Sequence, residues 1–423
     1  MKAIGIIAEY NPFHNGHAYQ IQKAKELSHA DYVIAVVSGN YVQRGIPAIS
    51  DKFSRASMAL LSGADFVFEL PVIWSTASAE YFAAASIALL NALGCVDAVS
   101  FGCETPDLSL LTCIAEIFAR EPEPYRNLLS SYLKQGKSFP AAREKALSAY
   151  LTGHANFHTK EELSSLLQSP NNILALEYMK ALIRQNSRLT PLPVLRLGNG
   201  YHDTQFSENY CSAAAIRRLL SDALKASLPK SGLIKKLSPY MPQSAVRFLF
   251  SPEHPFLTEQ DFSQMLFYRL LCEKETGFAD YADGSAELSN RILHALSEFT
   301  DYRTFCERLK RKEVTYTRIS RLLLHILLNI TYADYENGKD CNYIPYLRLL
   351  GFRWDAAGFF SEIKKHTLLP LIAKPSKCAS VLTDNALSMF QKDVFASDLY
   401  YGMQAQKSGF PCKNEYGRQI VIV

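Results

Sequence analysis

The first hundred residues alternate short unbroken apolar runs with stretches of helical period. Residues 3–8, 32–39, 65–71 and 98–102 read as buried strands. Between them, 18–27, 51–61 and 78–93 carry helical patterns, the second capped by Ser50 or Asp51. Strands alternating with helices predict an α/β fold with a parallel, doubly wound sheet. Such sheets bind ligands at the carboxyl ends of their strands, and the loops after Ala8, Val37 and Phe101 all fall on that edge. Residues 106–190 read as mostly helical, with a polar connector at 134–140. Pro170-Asn171-Asn172 opens a helix running to about Gln185, and one of the two asparagines is readable as only its cap. Residues 192–197 form a candidate fifth strand, and Pro191 and Pro193 argue against a central place for it. From about residue 225 the strand signal fades, and 246–250, 262–272, 286–299, 302–311 and 319–330 read as helices. The end, 345–423, is mixed, with a helical stretch at 355–365 and a short strand in the last five residues.

The candidate chemistry lies between the first strand and the first helix, in Glu9-Tyr10-Asn11-Pro12-Phe13-His14-Asn15-Gly16-His17. Pro12 disfavours helix at Asn11, and Asn15 is the expected N-cap. Gly16 lets the backbone come close to a ligand. A helix N-terminus offers free N–H groups and a positive dipole end, which suit phosphate. His14 and His17, three residues apart, can address the same point above that terminus. Without a ligand they would be a turn histidine and a capping histidine. The placement after the first strand favours the functional reading.

This H-x-G-H resembles the signature of nucleotidyltransferases related to class I aminoacyl-tRNA synthetases. The resemblance implies that His14 and His17 contact phosphates and stabilise charge in the transition state. Cys211-Ser212-Ala213-Ala214-Ala215-Ile216-Arg217 resembles the second signature of that superfamily, with Ser212 and Arg217 at the phosphate-holding positions and Ala214 where a second hydroxyl is usual. Further blocks resemble the bacterial tRNA(Met) cytidine acetate ligase family from residue 1 to about 330. They include Ser38 to Gly45, Ser100 to Glu104, Pro170 to Leu174, Gly200-Tyr201-His202-Asp203 and Tyr316 to Arg321. The resemblance implies a Rossmann-like nucleotidyltransferase domain over 1–222, with a helical insertion around 106–190, and a mainly helical, tRNA-binding domain over 223–423. It implies that ATP and acetate give acetyl-adenylate, and that the acetyl group passes to the exocyclic amine of the wobble cytidine of elongator tRNA(Met). The implied ATP contacts are Ile7, Ala8, Glu9, Tyr10, Asn11, Pro12, Phe13, His14, Asn15, Gly16, His17, Ala18, Tyr19 and Gln20, with Gly102, Arg196 and one of Asn171 and Asn172. Magnesium is expected with ATP, held by phosphates and water rather than a protein cage.

Charge adds the RNA-facing candidates. Arg308, Lys310, Arg311, Lys312, Arg318 and Arg321 form the densest basic run, interleaved with Tyr302 and Tyr316. Basic residues with aromatics suit an RNA backbone and splayed bases, although a solvated helical surface looks the same in sequence. Lys137 lies in a Gly-Lys-Ser-Phe-Pro turn, with Arg143 and Lys145 just after it. Arg44, Lys52 and Arg55 form a possible basic rim, with Lys52 better read as a solvated position. Asp203 and His202 are equally readable as acceptor contacts or as a cap. The net charge of +4 permits RNA binding without demanding it. The 9 cysteines include no C-x-x-C pair, so a disulfide framework is not expected and a reducing cytoplasm is. They read as buried small hydrophobes. No apolar run reaches ~18 residues, and the first strand starts at residue 3, so neither a membrane span nor a signal peptide is expected. DNA is not an expected partner.

Two other functions fit the first signature. A small-cofactor adenylyltransferase is disfavoured by the roughly 200-residue helical extension. A non-catalytic RNA-binding module is disfavoured by the intact His14, Gly16, His17 and Arg217.

Overall fold

The computed structural model describes residues 1–151, 160–197, 209–226, 229–311 and 313–423. The apolar runs of the N-terminal part form strands β1 (Ala3–Ala8), β2 (Tyr32–Ser38), β5 (Phe66–Leu70) and β6 (Ala98–Cys103). Two-residue strands β3 (Tyr41–Val42) and β4 (Ile46–Pro47) make a small hairpin after β2. β7 (Thr190–Leu195), β8 (Leu347–Phe352), β9 (Leu371–Ile372) and β10 (Val421–Ile422) complete the set. The main sheet runs β10-β8-β5-β2-β1-β6-β7, with β9 also pairing β8. β1, β2, β5, β6 and β7 are mutually parallel, as expected, and β8 runs antiparallel to β5. β7 lies at the edge, where Pro191 and Pro193 cost no interior ladder bonds.

The sheet corrects the reading of the C-terminal segment. β8, β9 and β10 extend the sheet of the N-terminal part rather than belonging to a helical body. The last strand is short, as read, but β8 lies in a stretch with no clear expectation. A 25-residue helix, Asp384–Ser408, also lies there and packs near residues Val72–Ser75. Among the described residues of 229–340 the named elements are all helices, from Lys230–Leu237 to Tyr332–Asp340, joined by loops such as 251–258.

Helix α1 (Asn15–Ser28) follows β1, and helix α2 (Lys52–Leu60) follows the hairpin. Asp51 caps α2, its Oδ1 accepting from the N–H groups of Phe53 (3.0 Å) and Ser54 (3.1 Å). Every residue of α2 is buried, because the helix packs on sheet strands β2, β5, β8 and β10 and against the helix Gln243–Leu249. Lys52 is therefore not solvated. Its Nζ contacts Glu69 at 2.8 Å and Glu415 at 2.9 Å, and Arg348 reaches Glu415 at 3.0 Å. Arg55 is not a rim residue either. Its guanidinium donates to the carbonyls of Glu9 (2.7 Å), Ser38 (2.9 Å), Ser50 (2.9 Å) and Gly39, so it ties together the carboxyl ends of β1 and β2.

The cysteines fit their reading only in part. Cys103, Cys306 and Cys378 are buried, whereas Cys272 is exposed and the others lie between. Among the described residues no helix is long and apolar enough to cross a membrane.

Candidate active site

The turn after β1 ends in a capping arrangement made of histidines. His14, not Asn15, is the N-cap of α1. Its Nδ1 accepts from the Gly16 N–H at 3.1 Å, and His17 Nδ1 accepts from the His14 N–H at 3.2 Å. Two of the orphan amides at the helix start are thus satisfied by imidazoles. With both Nδ1 atoms accepting, each neutral ring carries its proton on Nε2. The rings stack with centroids 3.8 Å apart. Burial holds His14 down to about 3, with Arg196 and Arg217 adding to the effect. Burial, then His14 and Arg196, hold His17 well below the ordinary histidine range. Both rings are therefore neutral Nε2–H donors.

Asn15 has a different task. Its backbone N–H donates to Tyr240 O at 2.9 Å, and its side chain donates to Pro239 O and Asn209 O. That docks the start of α1 onto the helical part.

A cleft of about 1110 Å³, counting its open mouth, lies at the carboxyl ends of β1 and β6. The nucleotide candidates Ile7 to Asn11, His14, His17, Gln20, Gly102, Asn171, Arg196, Ser212 and Arg217 line it, as does Arg44. The structure separates the two asparagines. Asn171 faces the cleft, held by Glu104 at 2.6 Å, whereas Asn172 is buried and its Oδ1 accepts from the N–H groups of Glu104 and Thr105. Arg196 crosses Gly102 so closely that a Cβ there would lie 3.2 Å from its Cγ. Ser212 Oγ caps its helix by accepting from the Ala215 N–H at 3.0 Å, and Arg217 donates to the Asn11 carbonyl. Burial and the neighbouring Arg44 push Arg217 down to about 10, which leaves it charged at neutral pH.

Six candidates of the first block stand elsewhere. Phe13 is core, and Pro12 follows a cis bond from Asn11. The Gly16 N–H is spent on His14. Asn15, Ala18 and Tyr19 line a different groove, beside Tyr210 and Arg353. Sequence reasoning missed Gln43, Phe82, Phe101, Leu174 and Tyr178, which also line the cleft. Three of these are aromatics inside strand or helix patterns, where nothing in the sequence separates a cleft wall from core.

The proposed RNA contacts have diverse surroundings. Arg143 pairs with buried Glu177 at 2.6 Å and lies over the Phe118 ring, and Arg321 grips Asp283 through two bonds of 2.7 and 2.8 Å. Both are satisfied inside the fold. Arg308 pairs with half-exposed Glu298, Arg311 is exposed, and Arg318 reaches the Asp283 carbonyl at 3.3 Å. Tyr302 is no base-stacking platform, because it is buried and its hydroxyl donates to the carbonyls of Gly45 and Ser320. Lys312 and the block Gly200-Tyr201-His202-Asp203 lie outside the described residues.

Comparison with known proteins agrees with this geometry. A family model described as HIGH Nucleotidyl Transferase matches residues 1–413. A Thermoanaerobacter sp. protein named tRNA(Met) cytidine acetate ligase is 39% identical over 402 residues, covering 95% of each chain. A protein of the same name from Acetivibrio thermocellus is 35% identical over 429 residues, covering 100% of both. The crystal structure of Thermotoga maritima TmcAL bound with alpha-thio ATP superposes with a TM-score of 0.88 at 30% identity, over 100% of this chain and 99% of that one. A neutral histidine pair at a helix start, two arginines beside it and full-length similarity converge on one conclusion: the chain belongs to the tRNA(Met) cytidine acetate ligase family of HIGH nucleotidyl transferases.

Proposed function

We propose that this protein activates acetate with ATP and acetylates the exocyclic amine of the wobble cytidine in elongator tRNA(Met), giving N(4)-acetylcytidine. The observation that carries the reading is the His14–His17 stack, whose two Nε2–H donors sit beside Arg196 and Arg217 in one cleft. In the first step an acetate oxygen bonds to the α-phosphorus while the bond to the β-bridging oxygen breaks. Pyrophosphate leaves. The histidines donate to phosphate oxygens as charge develops, and Arg217 and the Ser212 helix start hold the leaving group. In the second step the cytidine amine attacks the acetyl carbonyl, AMP leaves and the amine gives up a proton.

The residues present also bear on magnesium. Among the described residues Glu9 is the one carboxylate lining the cleft, and its Oε1 already accepts from the Gln43 N–H at 3.0 Å. Among the described residues no group of three or more His, Cys, Asp or Glu could hold a metal ion. In this reading magnesium comes with ATP, held by phosphates and water. Tyr10 Oη and Asn11 Nδ2, buried donors with no partner among the described residues, belong to the same loop and suit an anionic ligand. The helical segment after residue 229 holds the tRNA through Arg308, Arg311 and Arg318, Arg44 and Lys137 of the N-terminal part add further phosphate contacts, and the reaction runs in the cytoplasm.

Isotope exchange between pyrophosphate and ATP tests the first step. Exchange should require acetate. Exchange that requires a nucleotide or a phosphopantetheine instead would make the protein a cofactor adenylyltransferase, and none under any condition would make it a binding module. Mass spectrometry of elongator tRNA(Met) after incubation tests the second step.

A further inference from the structure

A second cavity opens beside the nucleotide cleft. It measures about 1210 Å³ with its mouth and shares Arg44, Ala214 and Arg217 with the cleft. Its walls come from both parts of the molecule: the loop through Ile46 and Ile49, the helix Ala213–Lys225, the segment 256–259 and the start of the helix Tyr316–Leu328. Four arginines line it, Arg44, Arg217, Arg218 and Arg303, against two carboxylates, Asp222 and Glu259. Glu259 is already committed to Arg303 at 2.9 Å, and the Arg218–Asp222 pair is loose at 4.0 Å, with both side chains mostly exposed. Half-buried Phe256 and Tyr316 complete the lining.

We infer that this cavity holds the nucleotide next to the target cytidine in the acceptor RNA strand. The inference rests on the ligase reading, since it takes the adenylate to lie in the first cleft. A cytidine whose amine reaches that adenylate must leave its stack and enter the first cleft. The adjoining nucleotide is then one phosphate away, and the only doorway the two cavities share is formed by Arg44, Ala214 and Arg217 among the described residues. Single-stranded RNA is held by arginine on phosphate and by bases stacked on aromatic or guanidinium faces, and this cavity presents both. Excess arginine suits any phosphate, so departing pyrophosphate is the rival source of the same chemistry. The aromatic walls favour a nucleotide, because pyrophosphate has no face to stack.

Two variants away from the doorway test this. Arg218→Glu changes an exposed side chain, and Tyr316→Leu removes a π-face while keeping apolar bulk. Each should keep acetate-dependent exchange without RNA within about twofold of wild type, while tRNA KM rises at least tenfold. Binding of an anticodon stem-loop RNA, measured without ATP, should weaken in parallel. Arg218→Ala, with a thermal melt, keeps the test valid if either variant folds poorly. An unchanged RNA affinity overturns the inference. So does a raised KM for pyrophosphate with tRNA KM unchanged, which would make the cavity an exit for the leaving group. Failure of the ligase reading would show differently, as no acetate-dependent exchange in the wild type, and the stem-loop binding arm would still report on the cavity.

Discussion

His14 and His17 do two jobs with one geometry. Their Nδ1 atoms cap α1, and that fixes their Nε2–H groups as donors. His17→Ala should lower adenylate formation by ~100-fold or more, the usual cost of losing a preorganised charge-stabilising donor. Wild-type exchange at saturating ATP would remove the site from consideration. The same burial has a consequence for acid stability. Unfolded histidines titrate near 6.5, whereas folded His14 stays neutral down to about 3 and His17 well below the ordinary range. As pH falls below about 6.5 the unfolded chain binds protons that the folded chain does not, so stability drops across that window toward about 3. His14→Asn should flatten the slope of unfolding free energy against pH by about one proton there, measured by urea melts. An unaltered slope would show that His14 titrates freely in the fold. The spacing and position of the two histidines were legible in sequence. Their capping role was not, because Asn15 has the better propensity and tertiary contacts with residues 239 and 240 claimed it instead.

At the scale of elements, four of the six strands ahead of residue 104, namely β1, β2, β5 and β6, were legible because each is dominated by apolar residues. β8 was not, since its register partner β5 lies nearly three hundred residues earlier and supplies no local signal. The β3–β4 hairpin shows how distant elements fix the site. Gly45, at its tip, has φ +74°, and a Cβ there would run into the Arg321 backbone. Its carbonyl accepts from Tyr302 Oη at 3.1 Å and Ser320 Oγ at 2.9 Å. The hairpin that carries Gln43 and Arg44 is thus clamped onto the helix Tyr316–Leu328. Gly45→Ala should lower thermal stability, since left-handed strain alone costs ~1–3 kcal/mol and the clash adds to it. It should also slow acetyl transfer to tRNA, because Arg44 moves with the hairpin. A melt unchanged from wild type would mean that the hairpin packs loosely on that helix.

The whole molecule is held shut by charges that a linear reading places on the surface. Lys52 looked solvated because its helix has polar residues on every side, yet Glu69 and Glu415 enclose it. Lys52→Met should cost ~3–5 kcal/mol, the range for stranding buried carboxylates, read from the urea midpoint. The basic run at 302–321 has to be divided by the same criterion. Arg321 is spent on Asp283, so Arg321→Ala should destabilise the fold before it affects RNA. Arg308, Arg311 and Arg318 keep exposed or partly exposed side chains outside the nucleotide cleft. Changing these three together to alanine should weaken tRNA binding, and each lost phosphate contact should reduce the slope of log K against log salt by ~0.7–0.9. Acetyl-adenylate formation without tRNA should persist, since none of the three lines the cleft. Filter binding across a salt series, paired with pyrophosphate exchange, reads both halves. A salt slope equal to wild type would assign the run to solvent, and loss of exchange would mean that this segment supports the active site through the clamp on Gly45.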